Sequence, residues 1–364
     1  SSVEMHAIQT SGNCIRNVTS DPFAGVAADE VCDPRPTAEL LRQWSTLHPE
    51  FAYLPRKFKI AVTGSPNDRT AVFFHDVGLR LVHGPDGQLG YQVIVGGGQG
   101  RTPVIGEVLR EFIPQRELLA YLESVLRVYN LHGRRDNKYK ARIKILVRER
   151  GVDAFRQEVE EDYATSERSY SELTERELKR IGQFFAPPDY EHCTNQRPSP
   201  LAQSKPGTGF HRWLSRNVSE HKVPGYAAVT VTLKRIGAEP GDATSHEMRI
   251  LAELAEDYSF AELRITYQQN VVLPHVPQRD LRAVYERLRD ADLATPNRGL
   301  VTDIISCPGL DYCTLATARS IPIAQRIADR FSDAQRQEDI GPLDVKISGC
   351  INACGHHHAG HIGI

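Results

Sequence analysis

The chain of 364 residues is long enough to form two or three domains with separate hydrophobic cores. Its 44 basic and 46 acidic residues are well mixed, so the composition gives no sign of a nucleic-acid-binding surface. Since no run approaches about eighteen apolar residues, a membrane span is not expected. No apolar secretory segment is recognisable, so we expect a cytoplasmic protein with reduced cysteines. The chain lacks an initiator Met and stops in an apolar run at 361–364, which we interpret as a piece of a longer protein.

Residues 1–155 predict a first α+β unit. Phe58, Ile60 and Val62 alternate with Lys57 and Lys59, which indicates a half-buried strand. The other predicted elements are a helix or extended segment at 8–18, a short helix at 36–44, strands at 71–74, 79–83 and 91–95, a glycine run at 96–98, a helix at 118–129 and a basic run at 134–144.

Residues 156–210 are rich in charge and then in Pro and Ser, which predicts a connecting segment along the surface with Cys193 as an inert thiol. Residues 211–290 predict a smaller α+β unit. In it we expect strands at 229–233 and 263–270 and helices at 250–258 and 281–288. Residues 244–247 carry a helix start signal, which precedes the first of these two helices.

Four of the seven cysteines lie in two pairs near the end of the chain, Cys307 with Cys313 and Cys350 with Cys354. A helix at 314–331 and a strand at 343–347 are predicted between the pairs. One pair at a helix start and one at a strand end could converge on one point. Zinc prefers loops of about two to four residues within a pair, so the wider first pair favours an iron–sulfur cluster. Structural zinc and inert buried cysteines remain alternatives.

The motifs Cys307-Pro-Gly and Gly349-Cys350-Ile-Asn-Ala-Cys354-Gly355 resemble those of the sirohaem-containing sulfite and nitrite reductases. The resemblance implies that the four cysteines hold a [4Fe–4S] cluster and that Cys354 is also the axial ligand of the sirohaem iron. It further implies an α+β fold with mixed sheets and flanking helices, built from sirohaem/Fe–S domain repeats and a ferredoxin-like half-repeat. The implied domains are a sirohaem-binding and anion-site domain at 1–155, the connecting segment at 156–210, the half-repeat at 211–290 and a C-terminally incomplete cluster-ligand domain at 291–364.

The segment 54–59, Leu-Pro-Arg-Lys-Phe-Lys, is the second motif that resembles this family. A strand places Lys57 and Lys59 on one face about 7 Å apart, an arrangement that a solvated strand face would also show. In the family the two lysines line the anion site, and the Arg-Asn-Val segment, here starting at Arg16, supplies an arginine that faces the substrate. Arg16, Lys57 and Lys59 are therefore the implied catalytic residues, which neutralise a small oxyanion and deliver protons.

Sirohaem carries several carboxylates and should need basic partners. Besides Cys354, the candidate cofactor contacts are Arg56, Asn17, Gly97 and Arg101, with Arg135 and Arg142 as further basic candidates. Glycine at 96–98 could let the backbone approach the ring, or could mark a bend at a strand end. The histidines at 356–358 are expected to hydrogen-bond near the cofactor rather than to bind metal, and Cys14 and Cys32 to be small buried residues.

The resemblance implies the six-electron reduction of sulfite to sulfide. Phe58 and Lys59 favour sulfite over nitrite, because the nitrite reductases of this family usually carry Trp and Asn there. The chain shows no flavin or nicotinamide motif, so electrons should come from ferredoxin or from an NADPH-dependent flavoprotein. The alternatives are a ferredoxin-dependent nitrite reductase of the same family and a non-catalytic iron–sulfur carrier or structural metal domain. The partner half-repeat, which normally adds one more arginine to the anion site, is not found in this sequence.

Overall fold

The fold is taken from a computed structural model, which describes residues 9, 11–166, 174–191 and 200–364. Cys193 lies outside these residues. The α-helices are α1 Arg35–Thr46, α2 Leu118–His132, α3 Ile143–Arg150, α4 Val152–Thr165, α5 Glu175–Gly182, α6 Pro200–Gln203, α7 Gly209–Asn217, α8 Ser245–Tyr258, α9 Leu281–Asp290, α10 Ile321–Arg330 and α11 Ala334–Ile340. The strands are β1 Ile15–Ser20, β2 Phe58–Thr63, β3 Val77–His83, β4 Leu89–Val95, β5 Glu107–Pro114, β6 Val218–Glu220, β7 Tyr226–Thr232, β8 Arg264–Ile265, β9 Asn270–Pro277, β10 Ile305–Ser306, β11 Val345–Ile347 and β12 Ile362–Gly363.

These elements divide into two compact units, and the mixture of sheets and flanking helices confirms the predicted α+β class. The first unit comprises Ser1–Gly25, Asp29–Gly98 and Thr102–Pro187, and the second comprises Val26–Ala28, Gln99–Arg101 and Pro188–Ile364. The boundary expected near residue 155 falls inside α4. Phe155, Val159 and Tyr163 of that helix are buried in the core of the first unit. Over the described ranges, no helix is long and apolar enough to cross a membrane.

The first unit is built on a five-stranded sheet in the order β1-β2-β3-β4-β5, with β1 to β3 parallel and β3 to β5 antiparallel. Phe58, Ile60 and Val62 point into the main core, which also takes side chains from α1, α2 and α4. Ala61 on the other face of β2 is buried with Val72 and Ile94. The prediction of a half-buried strand is therefore wrong beyond Lys59, because a parallel strand flanks β2 on each side and both faces are covered.

The strand predicted at 71–74 is also wrong, since Val72–Phe74 forms a 3₁₀ helix. The Asp68 carboxylate accepts the backbone N–H groups of Thr70 and Val72 at 3.1 and 3.0 Å. Ala71 adopts a φ of +58°, which ends any extended run at that point. Hydrogen bonds from backbone N–H groups two and four residues later to this Asp side chain thus produce a tight turn in place of the strand.

The second unit contains an antiparallel sheet in the order β6-β7-β9-β8, packed against α7, α8 and α9. The start signal at 244–247 is confirmed, since Thr244 and Glu247 form a capping box at the N-terminus of α8. The single strand predicted at 263–270 is wrong. Gln269 has a φ of +60°, and the turn there separates β8 from β9.

The second unit also contains a parallel three-stranded sheet in the order β10-β11-β12. The helix predicted at 314–331 begins only at Ile321, because Pro322 occupies its first turn and the preceding residues form a loop. Cys307 directly follows β10, and Cys350 comes three residues after β11. Both cysteine pairs therefore follow the carboxyl ends of adjacent parallel strands, and the prediction that the first pair starts a helix is wrong.

Candidate anion site and cysteine loops

Six basic residues of the first unit form a group that we name the cationic cluster: Arg16, Arg56, Lys57, Lys59, Arg142 and Lys144. Strands β1 and β2 are parallel neighbours, with Asn17 of β1 in register with Lys59 of β2. Phe58 is fully buried in the core, whereas Lys57 and Lys59 on either side of it are partly exposed. The alternation of a strand thus directs both lysines to the face opposite Phe58, as the sequence predicts.

The cationic cluster lowers the pKa of Lys57. Partial burial is the main cause, followed by the charges of Lys59, Arg142, Arg16 and Arg56. The three predicted catalytic residues are thus near enough to act on one another electrostatically. A lysine in this setting loses its proton more readily than an exposed one, and a bound anion would restore its charge.

Lys144, which the sequence analysis did not single out, is buried in the same cluster. Burial and then the charge of Arg142 lower its pKa to about 8. Its Nζ donates to the Thr102 carbonyl at 2.6 Å. A Lys inside a basic run is usually a solvated residue, so the sequence offered no signal for this position.

Asp76 supplies a buried negative charge to the cationic cluster. Its side chain is fully buried and lies 2.7 Å from the Arg142 guanidinium. It also accepts the backbone N–H of Lys59 at 3.0 Å. Asp76 therefore fixes both the start of β2 and the Arg142 side chain, a role that the sequence analysis missed because a lone Asp before a strand carries no distinctive pattern.

The remaining candidates for cofactor contacts are more scattered. Asn17 is exposed beside Lys59, and Arg101 is exposed in the segment Gln99–Arg101 of the second unit. Arg135 donates to the carbonyl and side chain of Asn130 at the end of α2. A Cβ added at Gly97 would lie 2.2 Å from the Phe73 carbonyl oxygen, so glycine there is already required by the protein's own backbone.

The two cysteine loops of the second unit, 307–320 and 348–356, are joined by hydrogen bonds. The Gly349 N–H donates to Cys307 Sγ at 3.0 Å, and the Gly349 carbonyl accepts the N–H groups of Thr317 and Ala318 at 2.8 and 3.0 Å. The Cys307 N–H donates to the Ile347 carbonyl at 3.1 Å. Cys354 is exposed, and Cys307, Cys313 and Cys350 are partly buried.

These hydrogen bonds hold the two loops together. Within the described part of the chain, no three His, Cys, Asp or Glu side chains are placed to hold a metal ion. The donor chemistry nevertheless fits an iron–sulfur cluster, since four thiols lie on two glycine-containing loops and a backbone N–H already reaches one sulfur. Ligand geometry in metal-binding domains commonly forms together with the metal.

The three histidines at 356–358 point to different partners. The His356 ring stacks on Tyr267, with centroids 5.7 Å apart, and His358 Nε2 lies 3.1 Å from the Gly100 carbonyl oxygen. Burial and then the neighbouring His358 lower the pKa of His357. Away from these loops, Cys14 lies 3.4 Å from the Ser11 carbonyl, and Cys32 packs against the core of the first unit.

Two family models match the chain. The nitrite and sulphite reductase 4Fe-4S domain matches residues 11–167, and the nitrite/sulfite reductase ferredoxin-like half domain matches residues 223–291. The first match covers the cationic cluster and does not extend to the four cysteines. The chain belongs to the nitrite and sulfite reductase family, as its motifs predict, and the ferredoxin-like half-repeat is confirmed. Members of this family depend on sirohaem and a [4Fe–4S] cluster.

The relatives include reductases of both anions. The chain is 26% identical to sulfite reductase [ferredoxin] 1 of Mycolicibacterium paratuberculosis, over the whole chain and 59% of the relative. It is 27% identical to the ferredoxin–nitrite reductase of Synechococcus elongatus, over the whole chain and 64% of that protein. The structure of NirA from Mycobacterium tuberculosis superposes with a TM-score of 0.72 at 25% identity, over 96% of this chain and 57% of NirA. The chain therefore spans about three-fifths of the length of these proteins.

Proposed function

We propose that the chain is the cofactor- and anion-binding part of a ferredoxin-dependent sulfite reductase, which reduces sulfite to sulfide with six electrons. The observation that carries this proposal is the cationic cluster, in which burial and then the charges of four neighbouring cations lower the pKa of Lys57. Such a concentration of positive charge is costly without an anion, and a small dianion would relieve it. The names of the relatives favour ferredoxin as the electron donor over an NADPH-dependent flavoprotein.

The residues that would hold the cofactors are divided between two places. Cys307, Cys313, Cys350 and Cys354 would bind the [4Fe–4S] cluster, and Cys354 would also bind the sirohaem iron. In the first unit, Arg56, Arg142, Lys144 and Asn17 are the candidates to pair with sirohaem carboxylates. When bound, the cofactor pair supplies electrons one at a time at an iron to which the substrate binds.

The protein's own contribution is charge and protons. Arg16, Lys57 and Lys59 would neutralise the anion and stabilise the negative charge that builds up on it. Lys57 is the preferred proton donor, because burial and then the neighbouring cations lower its pKa, so that it gives up a proton more readily than an exposed lysine. Arg16 donates its Nε–H to the Gly12 carbonyl at 2.8 Å, which limits the orientations of its guanidinium.

Lys59 and Phe58 are the basis for preferring sulfite. Sulfite is present near neutral pH partly as a dianion, whereas nitrite is a monoanion, so a second lysine at the anion site favours sulfite in its more highly charged form. With Asn at this position, the site would lose one positive charge but keep a hydrogen-bond donor.

The test begins with protein purified without oxygen, its absorption spectrum, and its iron and labile sulfide content. We expect a red-region sirohaem band together with about four irons and four sulfides in addition to the sirohaem iron. Iron and sulfide without that band would leave a bare cluster domain and overturn the proposal, as would zinc alone.

Substrate choice is tested with reduced ferredoxin as donor. We expect a higher kcat/KM for sulfite than for nitrite, and Lys59→Asn should lower the sulfite-to-nitrite ratio about tenfold, equivalent to roughly 1.4 kcal/mol of transition-state binding. Lys140→Asn, a change at an exposed lysine of the basic run, is the matched control and should leave the ratio unchanged. A ratio that favours nitrite in the unmodified protein would assign the chain to the nitrite reductases instead.

A further inference from the structure

A short turn of the ferredoxin-like half-repeat contacts the backbone next to the first cysteine. We name residues 266–270, which comprise the β8–β9 connection and the first residue of β9, the clamp turn. Gln269 Nε2 donates to the Ser306 carbonyl at 2.8 Å, and Gln269 Oε1 accepts the Ser306 N–H at 2.9 Å. One carboxamide thus satisfies both backbone groups of the residue that immediately precedes Cys307. It extends the edge of β10 as an additional strand would.

The clamp turn is itself held rigidly. Lys234 Nζ donates to the Gln268 carbonyl at 2.7 Å and lies 3.1 Å from Asp303 Oδ1. Asn270 Nδ2 donates to the same Asp303 oxygen at 3.1 Å. One hydrogen bond, from Asn270 to Asp303, therefore joins the turn directly to the chain segment that leads into β10, and Lys234 bridges the turn and the same segment.

Gln269 adopts a backbone conformation that residues other than glycine rarely take, with a φ of +60°. Its N–H donates to the Thr266 carbonyl at 3.1 Å. Gly241 lies against its side chain, where an added Cβ would come within 2.7 Å of Gln269 Cβ. Unfavourable backbone conformations persist where the surrounding structure holds them and are frequent at functional sites.

The clamp turn also contacts the second cysteine loop. The Tyr267 ring stacks on His356 with an interplanar angle of 28°, two residues beyond Cys354. Thus one turn of five residues touches the chain beside Cys307 and the chain beside Cys354.

We propose that the clamp turn positions the two cysteine loops for cluster binding and that Gln269 is the positioning residue for Cys307. The inference rests on the proposed function for the identity of the bound group. Gln269 does not touch the thiol. It fixes the strand end from which Cys307 projects, so that less conformational entropy is lost in ordering Cys307 when the cluster assembles.

The first test needs no cofactor. In cluster-free protein, the alkylation rate of Cys307 by iodoacetamide is measured by mass spectrometry, with Cys350 of the same chain as internal reference. Gln269→Ala should raise the ratio of the two rates about threefold or more, because the strand end opens more often when the clamp is removed. Gln268→Ala is the matched control: it changes the same residue type in the same turn but keeps the carbonyl that Lys234 contacts.

A second variant separates the loss of the hydrogen bond to Ser306 from a loss of side-chain packing. Gln269→Glu has the same shape and can still accept the Ser306 N–H, but it cannot donate to the Ser306 carbonyl and places a negative charge against it. We expect the Cys307 rate to rise in this variant too. An unchanged ratio in both variants would overturn the proposal, and so would an equal rise at all cysteines, which would indicate general destabilisation.

The second test uses the cluster-loaded protein. Gln269→Ala should release iron and sulfide several-fold faster than the unmodified protein on anaerobic dilution, and it should alter the electron paramagnetic resonance spectrum of the reduced cluster. Tyr267→Ala should also speed iron release while leaving the absolute alkylation rate of Cys307 unchanged, because Tyr267 contacts the second cysteine loop and not Ser306. Unaltered release and spectrum in both variants would refute the clamp. Failure of the unmodified protein to load iron would refute the proposed function, and the alkylation ratio would still decide whether Gln269 holds Cys307.

Discussion

The Arg142 guanidinium lies 2.7 Å from the carboxylate of Asp76, which is fully buried. The same carboxylate accepts the backbone N–H of Lys59, one of the two lysines of the candidate anion site. One buried negative charge therefore organises both an arginine and a strand of the cationic cluster. It also offsets part of the repulsion among the basic side chains around it.

Asp76→Asn should destabilise the protein by about 3 kcal/mol, because the neutral amide leaves the Arg142 charge without its buried partner. Urea denaturation at pH 7 measures the effect. Asp153→Asn serves as control, since it removes an exposed partner of Arg156 and should cost less than about 0.5 kcal/mol. Equal losses in the two variants would show that the buried pair does not stabilise the cluster.

Lys57 should make anion binding depend on pH. Its lowered pKa means that it loses its charge at a lower pH than an exposed lysine does, so affinity for an anion should fall as pH rises through that pKa. Sulfate keeps a constant charge between pH 7 and 10, and isothermal titration calorimetry with sulfate therefore isolates the protein's titration. Lys57→Met should weaken binding at pH 7 and flatten the pH dependence, whereas Lys140→Met should change neither. A pH profile that is the same in Lys57→Met and the unmodified protein would contradict this role.

The sequence predicted the elements whose pattern is strong and local. The alternation at 58–62, the apolar stripe that forms α2 and the capping signal before α8 all led to observed elements, because each depends on neighbours within a few residues. The strands predicted at 71–74 and 263–270 failed for a different reason. Asp68 imposes a turn through hydrogen bonds from its side chain to the backbone, and Gln269 does so through its left-handed backbone conformation. Hydrophobic periodicity reveals neither feature.

Only the residues of the candidate site that lie in recognisable motifs could be predicted from the sequence. Arg16, Lys57 and Lys59 stand in recognisable segments, and the structure brings them within electrostatic range of one another. Asp76 and Lys144 act through burial and through contacts far away in the chain, which a single sequence does not reveal. The clamp turn is of the same kind, since Gln269 and Ser306 are 37 positions apart.

His221 should make the second unit sensitive to acid. Burial and then the charge of His275, Lys222 and Arg264 lower the pKa of His221 to about 4. A histidine in the unfolded chain has a pKa near 6.5, so between these values the unfolded state binds more protons and stability falls as pH decreases. The expected loss at pH 5 relative to pH 7 is about 2 kcal/mol.

Hydrogen exchange of the β7–β9 ladder measures this stability in the second unit. His221→Gln should remove most of the loss between pH 7 and pH 5 and should lower stability at pH 7, because Gln fits the buried site less well. His246→Gln, at an exposed position of α8, should leave the pH dependence unaltered. If the dependence persists in His221→Gln, another group is responsible for it.

The four cysteines at 307–354 should each be needed for iron. Serine binds iron–sulfur clusters less well than a thiolate, so Cys313→Ser and Cys350→Ser should lower iron and sulfide content at least several-fold. Cys354→Ser should in addition remove or shift the sirohaem band, if this residue is the shared ligand. Cys32→Ser is the control, and its iron content should equal that of the unmodified protein. Retention of full iron in Cys313→Ser would remove this residue from the ligand set.

Gly349 should be required for the contact between the two cysteine loops. A Cβ at this position would lie 2.7 Å from the Ala318 carbonyl oxygen and 2.8 Å from Gly309 Cα, both backbone atoms that cannot move independently. Gly349→Ala should therefore push the loops apart, weaken the N–H bond to Cys307 Sγ and raise the alkylation rate of Cys307 in cluster-free protein. Gly182→Ala makes the same change where the described residues leave open space, and it should stabilise α5 by about 0.5 kcal/mol. If the alkylation rate of Cys307 in Gly349→Ala equals that of the unmodified protein, the loops tolerate a side chain at this position. The close approach of Gly309 and Gly349 would then not be the contact that holds Cys307.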